Sequence, residues 1–136
     1  MHILLLEDDD ALRYTFAFAL RQQGFNITEA HSLAVAENTL LTQRPDVAVL
    51  DLMIGPQDSL NIAGLLAVLS PRTETIFVTG SDRFPNAELF QMSIPVAAVL
   101  RKPVDLRQLV ELINHIDQHP RSGLVENEQY HPHLQV

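Results

Sequence analysis

Reactive side chains follow four of the five short apolar segments that we predict to be strands. Glu7 and Asp8 follow the first segment, Asp51 the third, Thr79 the fourth and Lys102 the fifth. In an open parallel sheet, ligands bind at the carboxyl ends of the strands, where the winding changes direction. If the first and third strands are neighbours, carboxylates from both strands converge on one pocket.

These residue types together favour phosphoryl transfer. Two carboxylates about 4 Å apart repel each other by roughly 4 kcal/mol at an effective dielectric constant near 20. A hard divalent cation relieves that repulsion, and Mg²⁺ suits the site because it uses one or two carboxylates and keeps places for water and phosphate oxygens. Lys102 adds a positive charge and the hydroxyl of Thr79 adds a hydrogen bond. An oxygen nucleophile, a cation, an ammonium group and a hydroxyl group would then share one site.

The alternation of short apolar runs with helical patterns predicts the elements that position these residues. We predict strands at residues 3–6, 25–29, 47–50, 75–78 and 96–100. Apolar residues at helical spacing follow each strand. The pattern is weak after the fourth strand, near Pro85, and clearest after the fifth, where Asp105 is placed to cap the helix. Successive βα units predict an α/β fold, in which a parallel sheet is covered on both faces.

The composition excludes several other classes of protein. The chain of 136 residues has the size of one domain, and it has no cysteine for a disulfide or a thiolate zinc site. A net charge of −8 has the wrong sign for direct binding to nucleic acid. No apolar stretch approaches the ~18 residues of a membrane span, and no signal peptide is recognisable. We therefore expect a cytoplasmic protein that binds neither nucleic acid nor membrane.

Four motifs in this order resemble the receiver domain of two-component response regulators, the chemotaxis-regulator-like family. They are the apolar run that ends in Glu7-Asp8, the segment at 45–53 around Asp51, Val-Thr-Gly at 78–80 and Leu-Arg-Lys-Pro at 100–103. The resemblance implies a three-layer, doubly wound, flavodoxin-like fold with five parallel strands in the order 2-1-3-4-5. We accordingly predict a receiver domain at residues 1–118 and a poorly ordered C-terminal tail at residues 119–136.

The resemblance also implies a phosphoryl acceptor and a set of metal ligands. Asp51 matches the residue that accepts the phosphoryl group. Asp8 matches the direct ligand of Mg²⁺, and Glu7 would act on the cation through water. Together with Asp51, the backbone carbonyl of Met53 would complete the protein's ligands.

Two further residues and the partners follow from the same resemblance. Thr79 matches the switch hydroxyl, and Lys102 matches the lysine that pairs with the acceptor and its phosphate. The peptide bond between Lys102 and Pro103 is expected to be cis, as is usual in the family. A histidine kinase or a histidine phosphotransfer protein would donate the phosphoryl group in a phosphorelay. The modified domain, which is not itself an enzyme, would then change its affinity for an unknown downstream protein, and whether it forms a homodimer is left open.

The sequence departs from the family pattern at three places that concern the response to phosphorylation. Val99 replaces the Tyr or Phe that often lies three residues before the lysine, and Ser59 replaces the Gly commonly found eight residues after the acceptor. The pair Gly55-Pro56 shifts the usual Pro by one position. Because Val99 cannot act as a rotating aromatic switch, we expect Phe84 to carry the change instead.

Two alternative functions remain beside the phosphoryl acceptor. A pseudo-receiver would keep the fold and bind partners without phosphate, although the intact set of Asp51, Thr79 and Lys102 argues against it. A haloacid-dehalogenase-like phosphatase would use the Asp-x-Asp pattern at 8–10. That family needs another acidic pair after its lysine and a longer chain, so we rank it last.

Overall fold

The computed structural model describes residues 1–80 and 96–119 of the chain. The elements found there are β1 (His2–Leu6), α1 (Asp10–Gln22), β2 (Asn26–Ala30), α2 (Leu33–Leu40), β3 (Val47–Asp51), β4 (Met53–Ile54), β5 (Gln57–Asp58), α3 (Leu60–Leu69), β6 (Glu74–Thr79), β7 (Ala98–Arg101) and α4 (Leu106–Gln118). The helix predicted near Pro85 lies outside the described residues, so α4 is the helix that we predicted after the fifth strand. The predicted tail, apart from His119, also lies outside them.

Five of the strands form one parallel sheet in the order β2-β1-β3-β6-β7. Numbered among themselves, these strands have the predicted order 2-1-3-4-5, so the doubly wound fold class is confirmed. The winding changes direction between β1 and β3, which are direct neighbours. The carboxyl ends of these two strands therefore border the crevice in which such sheets bind ligands.

The register aligns the carboxyl ends of the strands. Leu6 lies beside Leu50 in the sheet, and Leu50 lies beside Phe77. One position further along, Asp51 pairs with Val78. Residues that directly follow these positions are consequently presented at one edge of the sheet, whichever strand they come from.

Each face of the sheet has its own apolar core. Val47 and Val49 point to the face covered by α1 and α4, whereas Ala48 and Leu50 point to the face covered by α2 and α3. All five residues of β3 are buried. Burial on both faces explains why the strand is a continuous apolar run, which is typical of parallel sheets, rather than an alternating one.

Local capping fixes the ends of the helices. Ser32 accepts a hydrogen bond from the backbone N–H of Val35 at the start of α2, and Asp105 accepts one from Arg107 at the start of α4. Both N-caps were predicted. Gly24 ends α1 with a φ of 89°, a left-handed conformation that favours glycine. The cis peptide bond between Lys102 and Pro103 is also present as expected.

Two strands were not predicted. β4 and β5 form an antiparallel hairpin of two residues on each side, between β3 and α3. At its end, Asp58 accepts a hydrogen bond from the backbone N–H of Leu60, which agrees with our prediction that Asp58 is a loop or cap residue.

Among the described residues, no helix is both long and apolar enough to cross a membrane.

Candidate functional site

The structure places the predicted residues at one edge of the sheet. Glu7 and Asp8 directly follow β1, Asp51 is the last residue of β3, Thr79 is the last residue of β6, and Lys102 directly follows β7. Glu7, Asp51 and Thr79 keep only 1%, 6% and 1% of their surface exposed, whereas Asp8 is exposed. The site is therefore a set of buried polar groups with one carboxylate at its mouth.

Lys102 bridges two buried carboxylates. Its ammonium Nζ donates to Oδ2 of Asp51 over 2.9 Å and to Oε1 of Glu7 over 3.1 Å. The pairing with Asp51 agrees with the prediction, but the bond to Glu7 was not predicted. The backbone N–H of Lys102 also donates to the carbonyl oxygen of Thr79 over 2.9 Å, which fixes the lysine against the end of β6.

Three carboxylates lie close enough to share a cation. One oxygen from each of Glu7, Asp8 and Asp51 lies within 4.8 Å of the others. Oxygens bound to one Mg²⁺ at about 2.1 Å are about 3 to 4 Å apart in an octahedral arrangement, so small rotations of these side chains would suffice. All three are hard oxygen donors. The cluster could therefore hold a divalent cation, and it consists of the three side chains named from the sequence as metal ligands.

The fourth predicted metal ligand, Met53, follows the acceptor in β4. Its backbone N–H donates to Oδ1 of Asp51 over 3.3 Å. The side chain of Met53 offers no group able to orient a water molecule. Thus both oxygens of Asp51 accept hydrogen bonds, one from Met53 and one from Lys102.

The unpredicted hairpin holds the exposed carboxylate. The backbone N–H of Gly55 donates to Oδ2 of Asp8 over 2.9 Å, across 47 positions of sequence. Gly55 adopts a φ of 59°, and this left-handed conformation favours glycine. The departure Gly55-Pro56 therefore forms the tip of a hairpin that orients Asp8. A Gly-Pro pair is a turn signal and could have indicated this turn, although not its contact with Asp8.

Arg13 is a second residue that the sequence analysis missed. Its guanidinium donates to the backbone carbonyl of Glu7 over 2.8 Å, to Asp10 over 2.7 Å and to Glu29 over 3.2 Å. These bonds join α1 and β2 to the loop that carries Glu7 and Asp8. Asp10 therefore pairs with arginine, and Asp9 caps α1 by accepting from the N–H of Leu12.

Burial and the neighbouring charges shift two pKa values in the site. Desolvation raises the pKa of Glu7 from 4.5 to about 7, and the negative charge of Asp51 acts in the same direction. The backbone N–H of Asp9 and the ammonium of Lys102 oppose that rise without cancelling it. Desolvation acts to lower the pKa of Lys102, but its hydrogen bonds and charge interactions with Asp51 and Glu7 outweigh desolvation and raise this pKa. Lys102 is thus a cation, and Glu7 changes its charge near neutral pH.

Two further departures from the family pattern lie among the described residues. Val99 is partly buried and packs against the core between the sheet and the pair α2 and α3. Ser59 is completely buried, and its hydroxyl has no hydrogen-bond partner among the described residues. Phe84 lies outside the described residues, so its predicted role stays a prediction.

The family comparison agrees with this geometry. A family model described as the response regulator receiver domain matches residues 3–114. Among curated proteins, the chain is 31% identical over 85 residues to the alginate biosynthesis transcriptional regulatory protein AlgB of Pseudomonas putida, a match that covers 62% of this chain and 19% of that protein. It is 32% identical over 80 residues to the probable transcriptional regulatory protein TcrX of Mycobacterium tuberculosis, which covers 59% of this chain and 34% of TcrX. The chain therefore spans only a minor part of these relatives.

Solved structures share the fold. A CheY-like response regulator receiver domain protein from Methanospirillum hungatei superposes with a TM-score of 0.77 at 23% identity, over 86% of this chain and 94% of that one. The response regulator TrrA from Thermotoga maritima, in complex with Mg²⁺ and BeF, superposes with a TM-score of 0.71 at 17% identity, over 85% and 97% of the two chains. At these identities the two structures support the fold alone.

Proposed function

The chain belongs to the response regulator receiver domain family, and on that basis we propose that it is a Mg²⁺-dependent phosphoryl acceptor of a two-component phosphorelay, modified on Asp51. The observation that carries the proposal is the position of this carboxylate. Asp51 ends the central strand β3, lies 2.9 Å from the ammonium of Lys102 and shares an acidic cluster with Glu7 and Asp8. A nucleophilic oxygen is thereby held next to a cation and beside a cluster suited to a metal.

The chemistry that these residues support is the transfer of a phosphoryl group from a phosphohistidine. An oxygen of Asp51 forms a bond to phosphorus while the bond from phosphorus to the imidazole nitrogen breaks, and the neutral imidazole leaves after taking up a proton. Lys102 stays charged and stabilises the negative charge on the phosphoryl oxygens. Asp8, Asp51 and the carbonyl of Met53 would hold Mg²⁺ directly, and Glu7 would hold it through water. The cation would supply positive charge that offsets the carboxylates and favours a phosphoryl oxygen.

The proposed output is a change in affinity for another protein. An aspartyl phosphate places about two negative charges and three acceptor oxygens beside Thr79 and Lys102. Thr79 is buried at the end of β6, so its hydroxyl is close to the edge where the phosphate would form. A histidine kinase or histidine phosphotransfer protein would be the donor, and the product would shift the population of two packings of the domain.

The proposal also includes the bounds of the domain, its location and its partners. The receiver would comprise residues 1–118 and act in the cytoplasm as a signalling domain, without catalysing a reaction on another substrate. The downstream protein is a partner that recognises the modified surface, and direct binding to nucleic acid is opposed by the net charge of −8.

Intact-protein mass spectrometry tests the acceptor. After incubation with acetyl phosphate and Mg²⁺, the wild-type chain should gain the mass of one phosphoryl group, and Asp51→Asn should gain none. Asp117→Asn is the matched control, because Asp117 is an exposed carboxylate on α4, far along the chain from the site. Full labelling of Asp51→Asn would show that another residue is the acceptor. A wild-type chain that takes no label with Mg²⁺ present would favour the phosphate-independent pseudo-receiver instead.

A further inference from the structure

Apart from the exposed Asn61, every residue of α3 is apolar, and the helix carries no charge. None of the ten residues of α3 is acidic or basic. Ile62, Ala63 and Leu66 are buried against the sheet. On the other side Val68 is 78% exposed and Leu69 is 37% exposed. A helix at the surface of a globular protein normally has a polar outer face, so this one lacks the expected pattern.

The apolar surface continues onto the neighbouring helix. α2 and α3 pack on the same face of the sheet, and both connect parallel strands, so their C-terminal ends lie at the same edge. Leu41, which directly follows α2, is 71% exposed. We define the α3 patch as Leu41, Leu65, Val68 and Leu69. Three of the five exposed large apolar side chains among the described residues belong to this patch, and the other two form a stacked pair on α1.

Opposite charges lie at the two ends of α3. Asp58 precedes the helix, and its carboxylate accepts from the N–H of Leu60. Arg72 follows the helix, is exposed, and forms no ion pair within residues 1–80 and 96–119. The midpoint between positions 58 and 72 is Leu65, inside the patch. An antiparallel pair of α3 helices with a twofold axis near Leu65 would therefore bring Arg72 of each copy to Asp58 of the other.

The middle of the helix permits a close approach. Gly64 is partly exposed, and a Cβ atom placed on it would meet nothing within 4 Å. Without a side chain at this position, the backbones of two crossing helices can come to the short end of the usual separation of 8 to 10 Å. Antiparallel helices also oppose their dipoles favourably.

From these observations we infer that a second copy of this chain binds the α3 patch, through an antiparallel α3–α3 contact. The contact is isologous, since the same surface is used by both copies. A chain with a net charge of −8 tends to repel its copies, and the ten uncharged residues of α3 add no further like charge to the contact. A contact made by four side chains of each copy is small compared with the roughly 800 Å² per partner of a standard interface, so we expect a weak dimer that forms at high concentration.

Sedimentation equilibrium of the full chain tests this contact. Without any phosphoryl donor, the wild-type chain should change from monomer to dimer between about 10 and about 500 µM, the range in which a small interface associates. Val68→Glu should weaken the association by about tenfold or more, because it places a charge at the centre of the contact. The matched control is Phe18→Glu, which changes a side chain 53% exposed on α1 and should associate like the wild type.

A second variant tests the orientation of the helices. Arg72→Glu should weaken the dimer at low salt, since it would face Asp58 of the other copy, and added salt should reduce the difference from the wild type. A wild-type chain that stays monomeric throughout the concentration range would overturn the inference. So would association that Val68→Glu leaves unchanged, or that Phe18→Glu abolishes.

Amide NMR distinguishes a second copy from an occupant within the same chain. Signals of the α3 patch should shift on dilution if the copies bind each other. Wild-type signals of the α3 patch that stay unchanged on dilution over the same range would indicate that no second copy binds there, and would overturn the proposal. Because no phosphoryl donor is used, these results do not depend on whether Asp51 is the acceptor.

Discussion

Replacing Glu7 by glutamine should stabilise the metal-free protein at alkaline pH. Glu7 is 1% exposed, and burial raises its pKa from 4.5 to about 7. The difference corresponds to about 3 kcal/mol, because each pH unit of pKa difference is worth about 1.36 kcal/mol. Glutamine has the shape of the protonated acid but never ionises, so the variant keeps the packing and avoids the cost of the buried charge.

The pH range follows from the direction of this pKa change. An acid whose pKa is higher in the folded state binds its proton more tightly when folded. The stability that this proton confers on the wild type is complete below pH 4.5 and is lost as the pH rises through about 7. The difference in stability between Glu7→Gln and the wild type should therefore be near zero at low pH. It should grow with pH and level off above pH 7 at about 3 kcal/mol in favour of the variant.

Urea unfolding followed by far-UV circular dichroism measures this difference. Both proteins are unfolded in EDTA at several pH values between about 3.5 and about 8.5, a range that brackets the two pKa values of Glu7. Taking the difference between variant and wild type cancels the other titrating groups, which the two proteins share. A stability difference that stays constant over this range would refute a raised pKa of Glu7. Excess Mg²⁺ should stabilise the wild type more than the variant, because only the wild type supplies the additional carboxylate.

Three further predictions concern the other residues of the site. Mg²⁺ at 100 times its dissociation constant should stabilise the wild type by about 2.7 kcal/mol. Asp8→Asn should lose most of the resulting shift in melting temperature. Identical melting curves of the wild type in EDTA and in excess Mg²⁺ would contradict the cation site. Lys102→Met should destabilise the metal-free protein by about 3 kcal/mol in urea unfolding, since it leaves two buried carboxylates without their ammonium partner. A variant as stable as the wild type would show that the ion pairs of Lys102 do not contribute to stability. Because Met53 has no group that could orient an attacking water, we predict slow loss of the phosphoryl group from Asp51 in a time course of intact masses, and a half-life of seconds would contradict this.

The positions of the site residues could be predicted because they depend on strand ends. A strand buried on both faces is a continuous apolar run, so its end is visible in the sequence where the run meets a polar residue. Parallel strands place their carboxyl ends at one edge, so the sequence alone predicts that Glu7 and Asp51 lie together. The predicted carboxyl end of β1 matches the observed one, and the other four differ by one residue, as at Asp51, which belongs to β3 rather than following it.

The contacts around the site could not be predicted in the same way. β4 and β5 have two residues each, too few for any periodicity to be recognised, and the bond from Gly55 to Asp8 joins segments 47 positions apart. Arg13 could be assigned to an exposed pair with Asp10 from their spacing, but its bond to the carbonyl of Glu7 depends on how α1 crosses the end of β1. The pKa of Glu7 depends on burial, which a local sequence pattern does not specify.

The contacts of Lys102 indicate which residues would respond first to the proposed phosphorylation of Asp51. Converting the carboxylate of Asp51 to a phosphate adds about one negative charge, which draws the ammonium away from Glu7. The backbone N–H of Lys102 donates a hydrogen bond to the carbonyl oxygen of Thr79. A Cβ atom placed on Gly80 would lie 3.7 Å from the side chain of Lys102, so this side chain passes close to Gly80. We therefore expect a movement of the lysine to act first on the end of β6, at Thr79 and Gly80. Val99 has one stiff torsion and no polar tip, and it packs in the core against α2 and α3, so it can adjust to such a movement but cannot transmit it by rotating outward.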